Sequence, residues 1–414
     1  MRATVGFALL ALVAVSHAYD KVIVFGDSLS DMGNVDDGTF GIQPGSDYWQ
    51  GRFSNGNVWI ERLCTRLGLP LAMSRSNGTN WAHGGAQTGT GTYGFLFIQF
   101  PNVRTQVTRY LNSNPAIGEE NLFVVWAGAN DYFDGQTDPT VPVSNLSSAI
   151  ATLYARGARK FLVPNIPLLG NIPSYLGTPE AEAMNLRSLQ HNMGLASSLA
   201  SLRQSSPGAD IIELDIAGDL TDMQAFPFLW GLTNVTQPAL TTAGNDDEFL
   251  FFDDVHPTRI GHQALSDVAF DAISPAHALN GTINLGDWVG TGSVPVTLRL
   301  WKGPLLMGTY ETNRNPSMEF EVMVQRTGNY SLTIDSPHFL RKRVSVTLTT
   351  APLTVSVSLV NGDADSSGEV DAGDIDFVIA QFGGSDTMAD LDGSTEVDAA
   401  DIDIAITNFG AVGE

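Results

Sequence analysis

The sequence predicts an α/β protein built on a parallel sheet, followed by a smaller all-β region and an acidic repeat. Short apolar runs bounded by turn residues are typical of buried strands, and stretches with helical character lie between them. Buried strands that alternate with helices indicate a parallel sheet covered by helices on both faces. The predicted strands lie at 21–25, 122–126, 160–163 and 210–214, and the predicted helices at 58–67, 143–156 and 180–203.

The pattern changes after about Pro275. Between residues 282 and 360, short segments alternate apolar and polar residues, Gly and Pro turns separate them, and no helical stretch occurs. These segments predict a small antiparallel β-sandwich, which we assign to residues 281–360 and expect to act as a spacer. Its predicted strands lie at 296–300, 320–324, 330–334, 344–348 and 355–359.

Length, charge and composition exclude several classes of protein and of partner. The chain has 414 residues, too many for one ordinary core, and a formal net charge of −24. Residues 361–414 contain fourteen acidic residues and no Lys or Arg, so the first 360 residues carry only −10. This acidity argues against nucleic acid as the main partner, because phosphate binding needs a basic surface. A hydrophobic fraction of 43% excludes a wholly disordered chain, and the single cysteine, Cys64, excludes an intramolecular disulfide framework.

The first 18 residues predict export. Arg2 precedes an almost wholly apolar run at 5–15, and the Ser-His-Ala segment at 16–18 has small residues at the usual cleavage spacing. The run is too short to span a membrane. We therefore expect residues 1–18 to be a signal peptide, the mature chain to begin near Tyr19, and the protein to be extracellular or associated with the cell surface.

A serine follows the first predicted strand, in the segment GDSL at 26–29. Serine is a poor nucleophile until a base takes its proton, so a histidine and an orienting carboxylate are needed elsewhere. The segment DDVHPT supplies both, since the carboxylate of Asp253 can fold back onto one imidazole nitrogen of His256 while the other faces Ser28. Asp254 is too close in sequence to make that loop. Ser28, His256 and Asp253 are therefore the predicted nucleophile, base and orienting acid.

Two further segments supply hydrogen-bond donors. In WAGANDY at 126–132, the Asn130 amide can donate to an oxyanion that develops on a substrate carbonyl. In NWAHGGAQT at 80–88, the paired glycines Gly84 and Gly85 allow a backbone N–H to approach the same point. In a parallel sheet, groups that follow the strands meet at the carboxyl edge, where ligands bind.

Together, these four segments resemble the GDSL, or SGNH, hydrolase family, whose signature blocks occur in this order between residues 21 and 273. The resemblance implies a three-layer α/β/α sandwich for residues 19–275. The segments GRFSNG at 51–56 and NIPLLG at 165–170 further resemble the branch of longer lipases, esterases and lipid acyltransferases.

The resemblance also assigns roles to individual residues. Gly84 stays open as the alternative to Gly85, because the spacing alone does not separate them. The implied catalytic triad is Ser28, Asp253 and His256, and the implied oxyanion hole is the N–H of Ser28, the N–H of Gly85 and the side chain of Asn130.

The acidic region repeats itself with an offset of 27 residues. Calcium takes six or more oxygen ligands, and a twelve-residue loop supplies them from positions 1, 3, 5, 7, 9 and 12, with position 7 acting through its carbonyl. Both copies place oxygen-bearing residues at all six positions, which predicts two structural Ca²⁺ sites. The predicted ligands are Asp363, Asp365, Ser367, Glu369, Asp371 and Asp374 in the first loop, and Asp390, Asp392, Ser394, Glu396, Asp398 and Asp401 in the second.

Each loop precedes an apolar helix-like run, and this loop–helix repeat with Asp at position 12 resembles a type I dockerin, the module that docks onto cohesins in bacterial extracellular assemblies. The resemblance implies a paired loop–helix fold for residues 361–414 and a cohesin-like or cell-surface partner. Gly368 fills position 6 of the first loop, but Thr395 stands there in the second. Positions 10 and 11, often Ser or Thr in cohesin-binding members, are AG at 372–373 and AA at 399–400, so surface retention or mere stabilisation stays open.

These observations predict a secreted serine hydrolase that cleaves carboxylic esters without a catalytic cofactor. The substrate classes are lipids, other acyl esters and acetylated glycans. One alternative is a polysaccharide acetyl esterase of an extracellular carbohydrate-degrading assembly. Another, of a different class, is a non-catalytic adhesion or scaffold protein, against which the intact Ser28, Asp253 and His256 argue. Acyl-chain length, the alcohol moiety, the balance of hydrolase and acyltransferase activity and the oligomeric state stay open.

Overall fold

The computed structural model describes residues 19–95 and 97–414. The chain divides into two compact units, the first ending at Ile273 and the second running from Ser274 to Glu414. The predicted signal peptide at residues 1–18 lies outside the described residues. No helix in the described ranges combines the length and the apolar character needed to cross a membrane.

The first unit alternates strands and helices along the chain. Its strands are β1 (Lys21–Gly26), β2 (Thr92–Phe95), β3 (Ile98–Pro101), β4 (Asn121–Trp126), β5 (Lys160–Pro164), β6 (Asp210–Leu214), β7 (Asn234–Pro238) and β8 (Phe249–Phe251). Its α-helices are α1 (Asn34–Gly38), α2 (Trp59–Leu67), α3 (Val103–Asn112), α4 (Ala129–Phe133), α5 (Thr140–Ala155), α6 (Ala181–Ser205), α7 (Ile216–Ala225) and α8 (Arg259–Ile273). Short 3-10 helices lie at Trp49–Gly51, Ser74–Ser76, Leu169–Asn171, Pro227–Trp230 and Asp246–Glu248.

Four strands form one parallel sheet in the order β1-β4-β5-β6. Successive residues of a strand point to opposite faces, so each strand contributes to two cores. Phe25, Phe123 and Phe161 face the helices α3, α5 and α6. Val24 and Val124 face α2, α7 and α8. Helices therefore cover both faces, which confirms the predicted α/β fold class, and the predicted elements of this sheet differ from the observed bounds by three residues or fewer.

Local sequence determines both ends of α2. The N–H of Val58 donates to the Glu61 carboxylate at 3.0 Å, which satisfies a donor that the first helical turn leaves without a partner. The helix stops at Gly68, whose φ of 68° lies in the left-handed region that glycine favours. Between these ends, Trp59 and Leu63 are buried against the sheet.

The second unit begins with two sheets that share one hydrophobic core. Their strands are β9 (His277–Asn284), β10 (Val294–Lys302), β11 (Leu305–Arg314), β12 (Glu319–Val324), β13 (Gly328–Ser336), β14 (Phe339–Leu348) and β15 (Leu353–Ser358). One sheet has the order β11-β10-β13-β14 and is antiparallel throughout. The other has the order β12-β9-β15.

The structure corrects the sequence prediction for this region in two respects. The sequence pattern did not predict β9 and β11, and β9 begins at His277, upstream of the expected domain start at 281. In addition, β15 pairs with β9 in parallel, so the three-stranded sheet is mixed and not antiparallel. The alternation of apolar and polar residues is the same in both directions, and it therefore carries no information about strand orientation.

Residues 361–414 form two loop–helix repeats. Their helices are α9 (Ala372–Ala380) and α10 (Ala399–Thr407), and a small apolar core that includes Val378, Leu391 and Ala405 lies between the repeats. The repeats contact the β region of the same unit: the N–H of Val289, in the segment between β9 and β10, donates to the carbonyl of Asp392 at 2.8 Å. The acidic region is therefore packed on its neighbour within the second unit.

Phe161→Ala should lower the free energy of unfolding of the first unit by about 3–5 kcal/mol. Its side chain is completely buried, and truncation removes apolar contacts and leaves a cavity. Denaturant unfolding followed by tryptophan fluorescence measures the change. The matched control is Phe228→Ala, at a phenylalanine that is 66% exposed, which should change stability by about 0.5 kcal/mol or less. Equal losses in the two variants would contradict the placement of Phe161 in the core.

Candidate active site

Ser28 lies in the turn that follows β1, at the carboxyl edge of the parallel sheet. The last residue of β1, Gly26, runs so close to β4 that a Cβ atom there would lie 2.5 Å from the carbonyl oxygen of Trp126, and only glycine fits. The side chain of Gln106 in α3 accepts the N–H of Gly26 and donates to its carbonyl, both at 2.9 Å. These contacts hold the end of β1 and therefore the start of the serine turn.

Three side chains form a continuous chain of hydrogen bonds. Ser28 Oγ lies 2.8 Å from His256 Nε2, and His256 Nδ1 lies 2.7 Å from Asp253 Oδ2. The second carboxylate oxygen of Asp253 accepts the N–H groups of Val255 and His256 at 2.8 and 2.7 Å. Asp254 is exposed. The structure thus brings together the serine, histidine and aspartate singled out from the sequence, with the aspartate folded back over its own turn.

The surroundings of Asp253 keep it ionised. Burial opposes its charge, but the charge of His256 and the hydrogen bonds from His256 and Tyr48 outweigh burial and hold the pKa of Asp253 well below its usual range. The Tyr48 hydroxyl donates to Asp253 Oδ2 at 2.7 Å. An ionised Asp253 favours the His256 tautomer with a proton on Nδ1, which leaves Nε2 to accept the proton of Ser28.

Aromatic rings pack around the histidine. The ring of Phe53 lies 5.2 Å from that of His256, and the ring of Tyr48 lies 6.3 Å from Phe53. Sequence reasoning missed Tyr48 altogether and gave Phe53 no role, although Phe53 belongs to the segment at 51–56. Tyr48 and Asp253 are separated by 205 residues, so no local spacing connects them.

Hydrogen bonding separates the two candidate glycines. The N–H of Gly84 donates to Asp31 Oδ2 at 2.9 Å and is therefore occupied. Gly85 has a φ of 85°, a conformation that glycine adopts freely, and no acceptor within the described chain takes its N–H. The Asn130 side chain, on α4, donates to the carbonyl of Ala86 at 3.1 Å and keeps a second amide hydrogen. Gly85 and Asn130 thus each keep a donor for a ligand.

Two buried aspartates hold the same loop. Asp31 binds Gly84 and also accepts the N–H of Gly33 at 2.8 Å, while Asp131 accepts the N–H and the hydroxyl of Thr88 at 3.0 and 2.7 Å. Burial raises the pKa of Asp31 to about 6, against the lowering effect of its N–H donors, and burial also raises the pKa of Asp131. Sequence reasoning missed these roles, because an aspartate near a motif carries no signal of which loop it will bind.

In the second unit, each predicted calcium loop gathers carboxylates from positions 1, 3 and 12. Ligand oxygens of these residues lie within 4.8 Å of one another, and the two sets are Asp363, Asp365 and Asp374, and Asp390, Asp392 and Asp401. Asp363 Oδ1 is buried without a hydrogen-bond partner in the described structure. Burial, with neighbouring carboxylates, raises the pKa of Asp363 and of Asp390. A buried carboxylate oxygen without a donor, beside other carboxylates, suits a hard cation such as Ca²⁺.

The other predicted ligands repeat their contacts from loop to loop. At positions 5 and 7, a serine hydroxyl donates to a glutamate carbonyl at 3.1 Å, in the pairs Ser367–Glu369 and Ser394–Glu396. At position 9, Asp371 and Asp398 serve as N-caps of α9 and α10, each accepting a backbone N–H from the first helical turn. The position 9 carboxylates are thus engaged by their helices, and they do not join the clusters formed by positions 1, 3 and 12.

Thr395 preserves the shape of the second loop despite its side chain. Gly368 has a φ of 88° and donates its N–H to Asp363 at 3.0 Å, and Thr395 has a φ of 84° and donates its N–H to Asp390 at 2.9 Å. The left-handed conformation costs a residue with a Cβ atom roughly 1–2 kcal/mol. The departure from glycine at position 6 therefore introduces backbone strain but leaves the loop geometry unchanged.

The family described as GDSL-like lipase/acylhydrolase matches residues 22–269, the part of the chain that contains the parallel sheet and the hydrogen-bonded serine, histidine and aspartate. The chain belongs to this family. It is an ester-bond hydrolase, and the resemblance noted in its sequence to GDSL hydrolases is confirmed.

Curated relatives of this GDSL hydrolase carry several names. A phosphatidylcholine-sterol acyltransferase of Aeromonas hydrophila is 27% identical over 323 residues, covering 63% of this chain and 94% of the relative. A GDSL esterase/lipase of Arabidopsis thaliana is 28% identical over 311 residues, covering 60% of this chain and 81% of the relative. A thermolabile hemolysin of Vibrio parahaemolyticus is 26% identical over 275 residues, covering 60% of this chain and 62% of the relative.

Asp27→Asn should stabilise the GDSL domain more at pH 8 than at pH 5. Burial, partly offset by the N–H of Leu29, raises the pKa of Asp27 to about 7, above the usual value of 3.8. Because the folded state favours the protonated form, stability from this group is greatest below pH 4 and declines as the pH rises through 7. Thermal melting at both pH values measures the difference, and the exposed Asp47→Asn is the control. An equal effect of Asp27→Asn at both pH values would contradict the assignment.

Proposed function

We propose that the protein is a secreted serine hydrolase that cleaves carboxylic ester bonds through Ser28, His256 and Asp253. The observation that carries the proposal is the chain of hydrogen bonds from Ser28 Oγ through His256 to Asp253, with separations of 2.8 and 2.7 Å. Nucleophile, base and orienting acid stand in contact, which is the arrangement that nucleophilic catalysis by serine requires.

In the first step, His256 Nε2 takes the proton of Ser28 as the serine oxygen attacks the ester carbonyl. Asp253 stabilises the positive charge that forms on His256, and it stays ionised because its neighbours hold its pKa low. Tyr48 donates to the same carboxylate oxygen that His256 binds, and so positions Asp253 without contacting the substrate.

Three hydrogen-bond donors stabilise the negative charge that develops on the carbonyl oxygen: the N–H of Ser28, the N–H of Gly85 and the free amide hydrogen of Asn130. Gly85 is preferred to its alternative, Gly84, because the Gly84 N–H already donates to Asp31. The loop that carries Gly85 is held by hydrogen bonds before substrate arrives, so little reorganisation is needed in the transition state.

The ester C–O bond then breaks as His256 gives its proton to the departing alcohol, which leaves an acyl group on Ser28. In the second half of the reaction, His256 takes a proton from the molecule that attacks this acyl-enzyme and returns it to Ser28 as the acyl group is released. Water as that molecule gives hydrolysis. An alcohol in its place gives acyl transfer by the same residues. The proposed steps use no metal or other cofactor.

Asn130→Ala should lower kcat by about 10²–10³ and leave KM nearly unchanged, because its contact with the oxyanion forms in the transition state. Steady-state hydrolysis of a nitrophenyl ester measures both constants. Asn145→Ala is the matched control, since the Asn145 amide also donates to this loop, at Thr88 Oγ1 (3.1 Å), without serving the oxyanion. It should lower kcat by much less. Ser28→Ala should abolish turnover, and an ester panel cleaved equally by Ser28→Ala and the unaltered protein would refute the proposed function.

We also propose that residues 361–414 bind two structural Ca²⁺ ions. The support is the duplicated set of carboxylates at positions 1, 3 and 12 and the buried, partnerless Oδ1 of Asp363. The position 12 aspartates, Asp374 and Asp401, are completely buried and also accept backbone N–H groups of their own loops, so they link the ion site to the helix start. Bound calcium would offset part of the −14 charge of this region and stabilise its loops.

Calorimetric titration of the full chain with CaCl₂ should reveal two sites. Asp374→Ala and Asp401→Ala should each remove one of them, because each variant deletes a buried carboxylate of a single loop. The controls Asp376→Ala and Asp403→Ala alter exposed aspartates on the same helices and should retain both sites. Absence of binding heat, or equal binding by all four variants, would refute the calcium proposal.

The duplicated module supports a proposed role in attachment, to a cohesin-like or cell-surface partner. Exposed apolar residues follow the same pattern in both repeats and suit such contact: Ile379 in α9 with Phe382 just after it, and Ile406 in α10 with Phe409 just after it. Export, which this role requires, is proposed from the basic and apolar pattern of residues 1–18.

A further inference from the structure

We propose that an apolar slot beside Ser28 binds the acyl chain of the substrate, so that the enzyme prefers esters of medium or longer fatty acids to acetate esters. This inference rests on the proposed function, and it specifies the substrate class that the sequence leaves open. It concerns the space behind the serine, at the carboxyl edge of the parallel sheet.

The slot is a partly open recess of the first unit, with about 520 Å³ of empty space when the open solvent at its mouth is included. Only about 40 Å³ of that space accommodates the centre of a water molecule, so the recess is narrow. Asp27, Ser28 and Asn130 are its polar residues, and the remaining described residues of its wall are apolar. The Trp126 indole N–H donates to the carbonyl of Asn165 at 2.9 Å, so this ring also offers the slot no unsatisfied donor.

The slot begins at the reacting groups and ends in the core. At the mouth, Leu29, Phe133 and Val255 are half-buried beside Ser28. At the inner end, Ile216 and Leu265 are almost completely buried, at 1% exposure each. A chain attached to the carbonyl carbon can therefore extend from the serine into an interior that already excludes water.

The position of the slot favours the acyl group over the alcohol. Its wall includes Ser28, which bonds to the acyl carbon, and Asn130, which donates to the acyl oxygen. His256, which protonates the departing alcohol, is not among the residues that form it. The alcohol thus leaves toward His256, outside the slot, while the acyl chain stays beside the oxyanion donors.

The chemistry of the wall favours a long aliphatic chain. Burying one methylene group is worth about a fourfold gain in binding. An acetyl group would fill little of the recess, whereas a longer acyl chain would bury several methylene groups against apolar side chains. The one carboxylic acid of the described wall, Asp27, is compatible with this environment, because burial raises the pKa of Asp27 to about 7 and favours its neutral form below that pH.

The experiment compares kcat/KM of the full chain for nitrophenyl acetate, butyrate, octanoate and dodecanoate, in which only the acyl chain changes. We expect octanoate to exceed acetate by at least about tenfold. Leu220→Phe, which fills the slot from α7, should lower the octanoate-to-acetate ratio by at least about tenfold. Ile172→Phe also fills the slot and should lower the same ratio, so it replaces Leu220→Phe if that variant folds poorly.

The matched control is Leu111→Phe. Leu111 is 8% exposed on α3 and Leu220 is 7% exposed on α7, but Leu111 packs in the core on the opposite face of the sheet. The octanoate-to-acetate ratio of kcat/KM in Leu111→Phe should stay within about twofold of the ratio in the unaltered protein. An octanoate-to-acetate ratio of kcat/KM near one in the unaltered protein would overturn the inference. So would a decrease of this ratio in Leu111→Phe as large as the decrease in Leu220→Phe.

Alkyl acetates test whether the slot holds the alcohol instead of the acyl chain. Preference for octyl acetate over ethyl acetate, without any preference among acyl chains, would place the alcohol in the slot and overturn the inference. In either case, loss of turnover in Ser28→Ala leaves the proposed function intact. Turnover that survives in Ser28→Ala, or no cleavage of any ester, would instead refute the proposed function itself.

Discussion

The close parallel pairing of β1 with β4 is the constraint on which the active site depends. Gly26 and Trp126 are register partners at the ends of these strands, and the approach is possible because Gly26 has no Cβ atom. The serine turn follows one strand and the helix of Asn130 follows the other, so this pairing places the proposed nucleophile and the proposed amide donor at the same edge of the sheet. Apolar side chains buried on both faces hold the strands there. Any side chain at Gly26 would force the strands apart and displace Ser28 from His256.

The loop that carries Gly84, Gly85 and Thr88 depends on a different interaction, buried hydrogen bonds to aspartate side chains. This loop has no regular secondary structure, and side chains accept those of its N–H groups that find no backbone carbonyl. Asp31 binds it at Gly84 and Asp131 binds it at Thr88. Burying a carboxylate is costly and raises the pKa of both aspartates, and their N–H donors offset part of that cost. The same bonds leave Gly85 with its N–H free, which links the stability of the loop to its chemistry.

Some features of this chain could be predicted because they depend on neighbours in sequence. Apolar runs identified the four strands of the parallel sheet, and spacing placed Asp253 rather than Asp254 against His256. Periodicity also revealed the duplicated acidic loops. Other features could not be predicted, since they depend on partners far along the chain. Tyr48 reaches Asp253 across 205 residues, and the parallel orientation of β15 is invisible in an alternating pattern.

The sequence by itself determined the α/β class, the family, the serine, histidine and aspartate of the proposed triad, and the repeat of the acidic loops, because motif order and periodicity are local properties. Only the tertiary structure decided between Gly84 and Gly85, since the choice depends on a hydrogen bond to Asp31 across 53 residues. It alone also revealed the slot beside Ser28, whose walls come from strand ends, loops and helices between residues 27 and 265. A cavity is the space that packed elements leave between them, and no single segment of the chain encodes its shape.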